Sequence, residues 1–153
     1  MSLIIEGKYE VTGKLGEGSF GKIFSGKNTN TGGKVAIKID KEEGGLLLKN
    51  EARIYRHLGE ISGIPRMRSF GIEGKFSYLV MDLLGRTLED IRKTQGGKLK
   101  LRVVILIGLQ MIKRVEELHK KGIIHRDIKP DNFIFGTGED KSVLHIVDFG
   151  LAK

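Results

Sequence analysis

Residues 123–135 of the chain read IIHRDIKPDNFIF, in which a polar loop lies between two apolar anchors. The anchors predict that the loop is held rigidly on a scaffold, and Pro130 stiffens it further. The carboxylate of Asp127, the ammonium of Lys129 and the amide of Asn132 can together accept a hydroxyl proton, neutralise phosphate and bind a metal ion. The stretch therefore predicts a catalytic loop.

A further carboxylate follows in HIVDFG, residues 145–150, where Asp148 ends an apolar strand. Oxygen ligands such as those of Asn132 and Asp148 suit Mg²⁺, which keeps some of its waters and is shared with substrate phosphates. Paired acids are also typical of glycosidases and of metal-dependent nucleases. Both of these alternatives leave two upstream motifs without a role.

The first upstream motif is LGEGSFGKI, residues 15–23, whose glycines Gly16, Gly18 and Gly21 let backbone N–H groups approach a phosphate. A dinucleotide-binding fold would open a helix at the third glycine. Here the β-like residues KIFSGK follow, so we expect the tip of a hairpin folded over a ligand. A plain glycine-rich hairpin without a ligand is the structural alternative.

The second upstream motif places Lys38 inside the apolar strand KVAIKI, residues 34–39. A buried amine is costly unless it meets an anion. Glu51 poses the same problem with the opposite charge, because it lies on the apolar helical stripe of Leu47 and Leu58. We expect the two to meet and jointly orient a bound phosphate. The alternative is that each lies independently at the margin of a small core.

The hydrophobic pattern changes near Gly85, from a β-rich part with one major helix to a mainly helical part, which predicts an α+β fold. The expected strands are 9–15, 22–27 and 35–40 in an antiparallel meander, then 66–71 and 76–83. The expected helices are 45–58, a short one with Thr87 and Asp90 as a capping box, and 99–121 with Gly122 at its end.

Composition narrows the partners and the location. The net charge of +8 favours anionic partners, but the basic residues are scattered and lack interleaved aromatics, which argues against a specific nucleic-acid surface. The absence of cysteine fits a reducing compartment and no secretory signal is recognisable, so we expect a cytoplasmic or nuclear protein. The longest apolar stretch, 103–112, is about half of the roughly 20 residues that a membrane-spanning helix needs.

Taken in order, GEGSFGKI, VAIK, the helical Glu51, HRDIKPDN and DFG resemble the motif set of the eukaryotic protein kinases. Within that superfamily, NEARIY, GIPRMRSFG, DLLGRTLEDI and DFGLAK are similar to the casein kinase I family, from about Tyr9 to the last residue. The clearest departure is GRTLED, where that family usually has Pro-Ser after the glycine, and we expect it to alter local shape near the hinge. Lys129, placed after Asp127 as DIK, resembles serine/threonine rather than tyrosine kinases.

The resemblance implies a kinase-like fold, with an N-lobe and hinge at residues 1–85 and a partial, mainly helical C-lobe at residues 86–153. It also implies ATP and Mg²⁺ as cofactors. The ATP-binding residues that it implies are Gly16, Gly18, Ser19 and Gly21 over the phosphates, Lys38 on the α- and β-phosphates, Ile23, Ala36 and Ile134 around the adenine, Met81 as gatekeeper, and the backbone of Asp82 and Leu84 at the hinge.

The same resemblance implies the catalytic roles. Asp127 would receive or orient the substrate hydroxyl, and Lys129 would steady the γ-phosphate. The remaining assignments are Glu51 orienting Lys38, Asn132 and Asp148 holding Mg²⁺, and His125, Tyr55 and Phe149 stacking as a spine between the lobes.

In that family the platform for the protein substrate follows the DFG motif, so the resemblance implies that this chain is an incomplete catalytic domain. Residues Val103 to Ile112 form a helix that is apolar almost all round, which predicts exposed apolar surface and hence self-association or a covering partner. Two functions are therefore expected. One is a serine/threonine kinase acting on proteins, with acidic or pre-phosphorylated substrates favoured. The other is an ATP-binding or scaffolding fragment without independent activity.

Overall fold

The computed structural model describes residues 3–18, 21–40 and 45–153, and the predicted α+β class is confirmed. The chain divides into two compact units. Unit 1 contains the described part of Met1–His57 together with Arg66–Leu83, and unit 2 contains Leu58–Pro65 and Leu84–Lys153.

Unit 1 is an antiparallel sheet with one helix, α1 (Leu46–Leu58), whose last residue belongs to unit 2. The strands found among the described residues are β1 (Ile4–Ile5), β2 (Tyr9–Gly18), β3 (Gly21–Asn28), β4 (Lys34–Asp40), β5 (Met67–Glu73) and β6 (Phe76–Asp82). They lie side by side in the order β1-β2-β3-β4-β6-β5, and each neighbouring pair is antiparallel. The predicted meander of β2, β3 and β4 is confirmed, whereas the short β1 was not predicted.

One face of this sheet carries a hydrophobic core. Its buried members are Ile5, Tyr9, Val35, Ile37, Ile39, Tyr78 and Val80. Because successive side chains of a strand point to opposite faces, Ala36 and Lys38 of β4 lie on the other face. A single strand thus contributes both to the core and to the opposite, functional face of the sheet.

The buried stripe of α1 includes the predicted Tyr55 and Leu58, but it begins at Leu48 rather than at the predicted Leu47. Leu48 is fully buried, whereas Leu47 is only half-buried. Leu48, Glu51, Tyr55 and Leu58 follow one another at steps of three and four residues, and all four are buried. The prediction that Glu51 lies on the buried stripe is confirmed.

Unit 2 combines helices with a small hairpin. Its elements are α2 (Leu88–Thr94), α3 (Leu101–Lys120), β7 (Phe133–Phe135) and β8 (Leu144–Ile146), with single turns of 3₁₀ helix at Pro130–Asn132 and Gly138–Asp140. Strands β7 and β8 pair antiparallel. None of the helices in the described ranges is long and apolar enough to cross a membrane.

Both helix boundaries that the sequence marked in unit 2 are confirmed. The Thr87 hydroxyl accepts a hydrogen bond from the Asp90 N–H (2.9 Å), and the Asp90 carboxylate accepts one from the Thr87 N–H (3.2 Å). Gly122 follows the end of α3 with φ 74°, and its N–H donates to the His119 carbonyl (2.9 Å). Helix α3 begins at Leu101 rather than at Leu99.

Helix α3 exposes much of its apolar surface, as predicted. Only Ile107, Arg114 and Leu118 are buried along its length. The exposed large apolar residues of α3 are Leu101, Val103, Val104, Ile105, Leu106, Leu109 and Ile112.

Candidate functional site

The face of the unit 1 sheet opposite the core gathers four of the predicted nucleotide-binding residues. Ile23 on β3 pairs with Lys38 on β4, and Ala36 on β4 pairs with Met81 on β6. Directly paired residues of an antiparallel sheet project from the same face, and so do residues two apart on one strand. Ile23, Ala36, Lys38 and Met81 therefore form one contiguous surface, in which an ammonium lies beside apolar side chains.

Lys38 and Glu51 meet, as the sequence predicts. The Lys38 ammonium donates to the Glu51 carboxylate at 2.7 Å, and the two side chains are 4% and 2% exposed. Burial strengthens the attraction between the charges and makes removal of either partner costly. The pair fixes the Lys38 side chain on the face of the sheet opposite the core.

The glycine-rich motif forms the end of the β2–β3 hairpin rather than the start of a helix. Gly16 pairs with Ile23, and Gly18 pairs with Gly21. Gly21 has φ 144°, and a Cβ there would lie 2.5 Å from the Ile39 carbonyl oxygen, so this position accepts no side chain. The predicted contact at Ser19 falls outside the described residues.

Asp82, the last residue of β6, is held by hydrogen bonds to its side chain. The Asp82 carboxylate accepts from the Arg68 guanidinium (2.7 Å) and from the Arg66 N–H (3.3 Å). The backbone N–H of Asp82 donates to the Arg66 carbonyl (3.0 Å). A ligand contact at Asp82 would therefore have to use its carbonyl oxygen. Leu84, the other predicted hinge residue, is half-buried in unit 2.

The catalytic loop of unit 2 brings together the polar residues that the sequence singled out. The Asp127 carboxylate accepts from the Lys129 ammonium (2.8 Å) and from the Asn132 amide (2.9 Å). The bond from Lys129, supported by that from Asn132, lowers the pKa of Asp127 below its ordinary value. The reciprocal bond from Asp127 raises the pKa of Lys129. A carboxylate and an ammonium, each favoured in its charged form, therefore lie next to each other.

His125 connects this loop to the strand that leads to Asp148. Its Nε2 lies 2.9 Å from the Val147 carbonyl, and its Nδ1 accepts from the Asp127 N–H at 3.2 Å. The ring also packs against Phe149, with centroids 5.3 Å apart. His125 thus contacts residues on both sides of Asp148 and holds the backbone of Asp127. The predicted third member of the spine, Tyr55, belongs to unit 1, where its hydroxyl lies 4.0 Å from the Met81 sulfur.

Asp148 follows strand β8 by two residues, and Ile134 is the middle residue of strand β7. The Val147 N–H, just before Asp148, donates to the backbone carbonyl of Asn132 (3.0 Å). Asp148 itself has φ 67°, in the left-handed region that non-glycine residues seldom occupy. Ile134 pairs with His145 across the hairpin and is half-buried.

The side chains of Asn132 and Asp148 fit a hard divalent cation. The Asn132 amide nitrogen donates both to the Asp127 carbonyl (2.8 Å) and to its carboxylate, which turns the amide oxygen away from Asp127. An amide oxygen and a carboxylate are ligands that Mg²⁺ accepts, with waters and phosphates completing its shell. In the ranges that the structure describes, His, Cys, Asp and Glu form no cluster of three or more that could hold a metal. Two oxygen ligands from the protein suit Mg²⁺, which is commonly shared with substrate phosphates.

The roles of three residues in unit 2, Arg126, Gln110 and Arg114, were not predicted from the sequence. Arg126 has φ 66°, and its guanidinium donates to the Leu151 carbonyl (2.5 Å). Gln110 and Arg114 of α3 both bond to the backbone of Leu144. The sequence signal for Gln110 and Arg114 was the i, i+4 spacing of two long polar residues, which places them on one face of α3.

Comparison with known protein families identifies the domain. The family model described as the protein kinase domain matches residues 9–153, which is nearly the whole chain. The match begins at the first residue of β2 and includes every predicted site residue.

Proposed function

The chain belongs to the protein kinase domain family, and from this membership we propose that it is the nucleotide-binding and catalytic part of a serine/threonine kinase of the casein kinase I type. The observation that carries the proposal is the network of Asp127, Lys129 and Asn132 in the catalytic loop. It places a carboxylate that can orient a hydroxyl directly beside a cation that can neutralise a phosphoryl group.

The proposed nucleotide contacts are those that the motif resemblance implies, and four of them share the face of the unit 1 sheet opposite the core. Lys38, held by Glu51, neutralises the α- and β-phosphates, and its rigid placement avoids reorganisation during the reaction. The other contacts that we propose are Gly16, Gly18, Ser19 and Gly21 over the phosphates, Ile23, Ala36, Met81 and Ile134 around the adenine, and backbone groups of Asp82 and Leu84.

In the proposed reaction, the acceptor hydroxyl forms a bond to the γ-phosphorus while the bond from that phosphorus to the β–γ bridging oxygen breaks. Mg²⁺ held by Asn132 and Asp148 would supply charge neutralisation for the nucleotide phosphates. Asp127 has a lowered pKa and is a weak base, so its main task is to orient the hydroxyl. It accepts the proton late, after the O–P bond has largely formed, which agrees with a loose transition state. Lys129 stabilises charge on the transferred group.

We base the proposed specificity for serine and threonine on the loop sequence DIKPDN. We base the proposed casein kinase I type on the sequences NEARIY, GIPRMRSFG and DFGLAK. The net charge of +8 agrees with acidic or pre-phosphorylated protein substrates.

A second candidate function is an ATP-binding or scaffolding module that acts only with another chain. The exposed apolar face of α3 favours it, because such surfaces are typical of interaction sites. This candidate predicts Mg²⁺-dependent ATP binding without turnover, together with a complex larger than the monomer.

The deciding experiment measures transfer of ³²P from ATP to an acidic or pre-phosphorylated serine peptide, with a matched tyrosine peptide beside it. Asp127→Asn should lower the transfer rate by at least about 100-fold and leave ATP affinity nearly unchanged. Asp131→Asn is the matched control, because Asp131 is an exposed acid of the same loop, and it should change the rate less than about twofold.

Equal transfer by wild type and Asp127→Asn would contradict the catalytic role. Transfer to tyrosine alone would contradict the serine/threonine assignment. ATP binding by the wild type without transfer to either peptide would favour the scaffolding candidate.

A further inference from the structure

The outer edge of strand β8 is hydrogen-bonded by side chains of α3 and by the backbone carbonyl of Gly63, rather than by another strand. The inner side of β8 faces β7. On this side the Val143 carbonyl accepts a hydrogen bond from the Gly136 N–H, and the Val147 N–H donates one to the Asn132 carbonyl. Because inner and outer backbone groups alternate along an antiparallel strand, Leu144 and Ile146 turn theirs outward. These groups would be costly to bury without partners.

Two residues of α3 bond to Leu144 from this outer side. The Gln110 amide oxygen accepts from the Leu144 N–H (2.8 Å), and its amide nitrogen donates to the Ser142 carbonyl (3.1 Å). The Arg114 guanidinium donates to the Leu144 carbonyl (3.0 Å). Both outward backbone groups of Leu144 are therefore satisfied by the same face of one helix.

Arg114 also joins the segment Leu58–Pro65 to this edge. Its guanidinium donates to the Ser62 carbonyl (2.6 Å) and to the Glu117 carboxylate (2.5 Å), and the residue is 5% exposed. The Gly63 carbonyl accepts from the Ile146 N–H (2.9 Å). Gly63 lies so close to the guanidinium that a Cβ would approach Arg114 Nε to 2.1 Å. A side chain at residue 63 would displace the cation from the strand edge.

We propose that Arg114 and Gln110 are positioning residues for Asp148, because they fix the register of β8. This proposal rests on the proposed function, in which Asp148 binds Mg²⁺. A slip of one residue would move the strand by about 3.3 Å and reverse the direction of its side chains. Mg²⁺ requires ligands at about 2.0–2.1 Å, so even a fraction of that slip would remove Asp148 from the shell. In this proposal, the buried guanidinium of Arg114 acts on the Mg²⁺ site through the backbone of β8.

The first measurement is amide hydrogen exchange in the protein without nucleotide or metal. Arg114→Met removes the guanidinium and keeps an apolar side chain, and it should accelerate exchange of the Ile146 amide by at least about tenfold relative to wild type. Lys113→Met is the matched control, because it removes a charge from the neighbouring exposed position of α3, and it should leave this amide unchanged.

The second measurement titrates Mg²⁺ against ATP binding. Arg114→Met should raise the Mg²⁺ concentration at half-maximal enhancement of ATP affinity by about tenfold, as loss of the groups that orient a metal ligand typically does. ATP affinity in EDTA should stay within about twofold of wild type, which a general loss of structure would not permit. If Arg114→Met does not fold, Gln110→Met decides, because Gln110 is only half-buried and its loss should accelerate exchange of the Leu144 amide.

Unchanged exchange at Leu144 and Ile146 in a folded variant would overturn the proposed role in strand register. Altered exchange with an unchanged Mg²⁺ requirement would overturn the link to Asp148. A wild-type chain that binds no ATP in the presence of Mg²⁺ would instead contradict the proposed function, and the exchange measurement would still test the register.

Discussion

His125 is held as one neutral tautomer. Its Nδ1 accepts from the Asp127 N–H, so the ring proton belongs on Nε2, which donates to the Val147 carbonyl. A second proton on Nδ1 would face the Asp127 N–H and break that bond. Burial lowers the pKa of His125 below its ordinary value of 6.5, in agreement with this arrangement.

The lowered pKa predicts acid sensitivity of the fold. The unfolded chain binds a proton at His125 near pH 6.5, whereas the folded chain resists it, so stability is fully present above pH 6.5. It should decrease as the pH falls from 6.5 through the lower folded pKa. Urea unfolding at pH 7.5 and at pH 5.5 measures the change, and His125→Gln should reduce this part of the pH dependence. The exposed His119 provides the control: His119→Gln should keep the pH dependence of wild type.

At the residue scale, the sequence predicted contacts that are forced by charge. Lys38 and Glu51 could be paired in advance because two buried, opposite charges each need a partner. The left-handed backbone of Arg126 and Asp148 was not predicted, because this conformation is uncommon at any non-glycine residue. Such conformations persist only where the surrounding structure imposes them, and here the hydrogen bonds of neighbouring residues supply that constraint.

At the element scale, the capping box of α2 carries a measurable share of stability. Thr87→Ala removes the acceptor for the Asp90 N–H at the start of a seven-residue helix, so the free energy of unfolding should fall by about 1 kcal/mol. Denaturant unfolding at neutral pH measures the loss. Thr87→Ser keeps the hydroxyl and should stay within about 0.5 kcal/mol of wild type. An alanine variant as stable as the serine variant would show that the cap contributes nothing.

Most elements were predictable because the sequence marks their period and ends. The β2–β3–β4 meander follows from short apolar strands, and α2 and α3 follow from a capping box and a terminal glycine. Strand β1 was missed because two residues carry no readable period. The first residue of the α1 stripe was predicted as Leu47 instead of Leu48, because Leu46, Leu47 and Leu48 are equivalent in sequence and only packing distinguishes them.

For the whole molecule, the exposed face of α3 predicts association. Ile105, Leu109 and Ile112 are 54%, 61% and 70% exposed, and this surface continues into an apolar groove beside Met111 and Val115. Contiguous apolar surface of this kind favours contact with another molecule. We therefore expect the weight-average mass of the purified chain to rise with concentration in light scattering.

Leu109→Lys should suppress that rise, because it places a charge in the middle of the apolar face. Ile72→Lys is the matched control, since Ile72 is 59% exposed on β5 and lies outside α3, and it should associate like wild type. A wild-type mass that stays at the monomer value at every concentration would contradict self-association and leave a different partner as the expected cover.

The passage of residues Leu58–Pro65 through unit 2, between two parts of unit 1, affects how the molecule can be dissected. No single cut in the gene separates the units. A piece that stops at Leu83 carries Ser62 and Gly63 without the Arg114 and Ile146 that donate to them, and the complementary piece lacks those carbonyls. Dissection would require a short linker from His57 to Arg66, with residues 58–65 added back as a peptide. Binding of that peptide by the remaining chain would then report directly on how strongly α3 and β8 hold it.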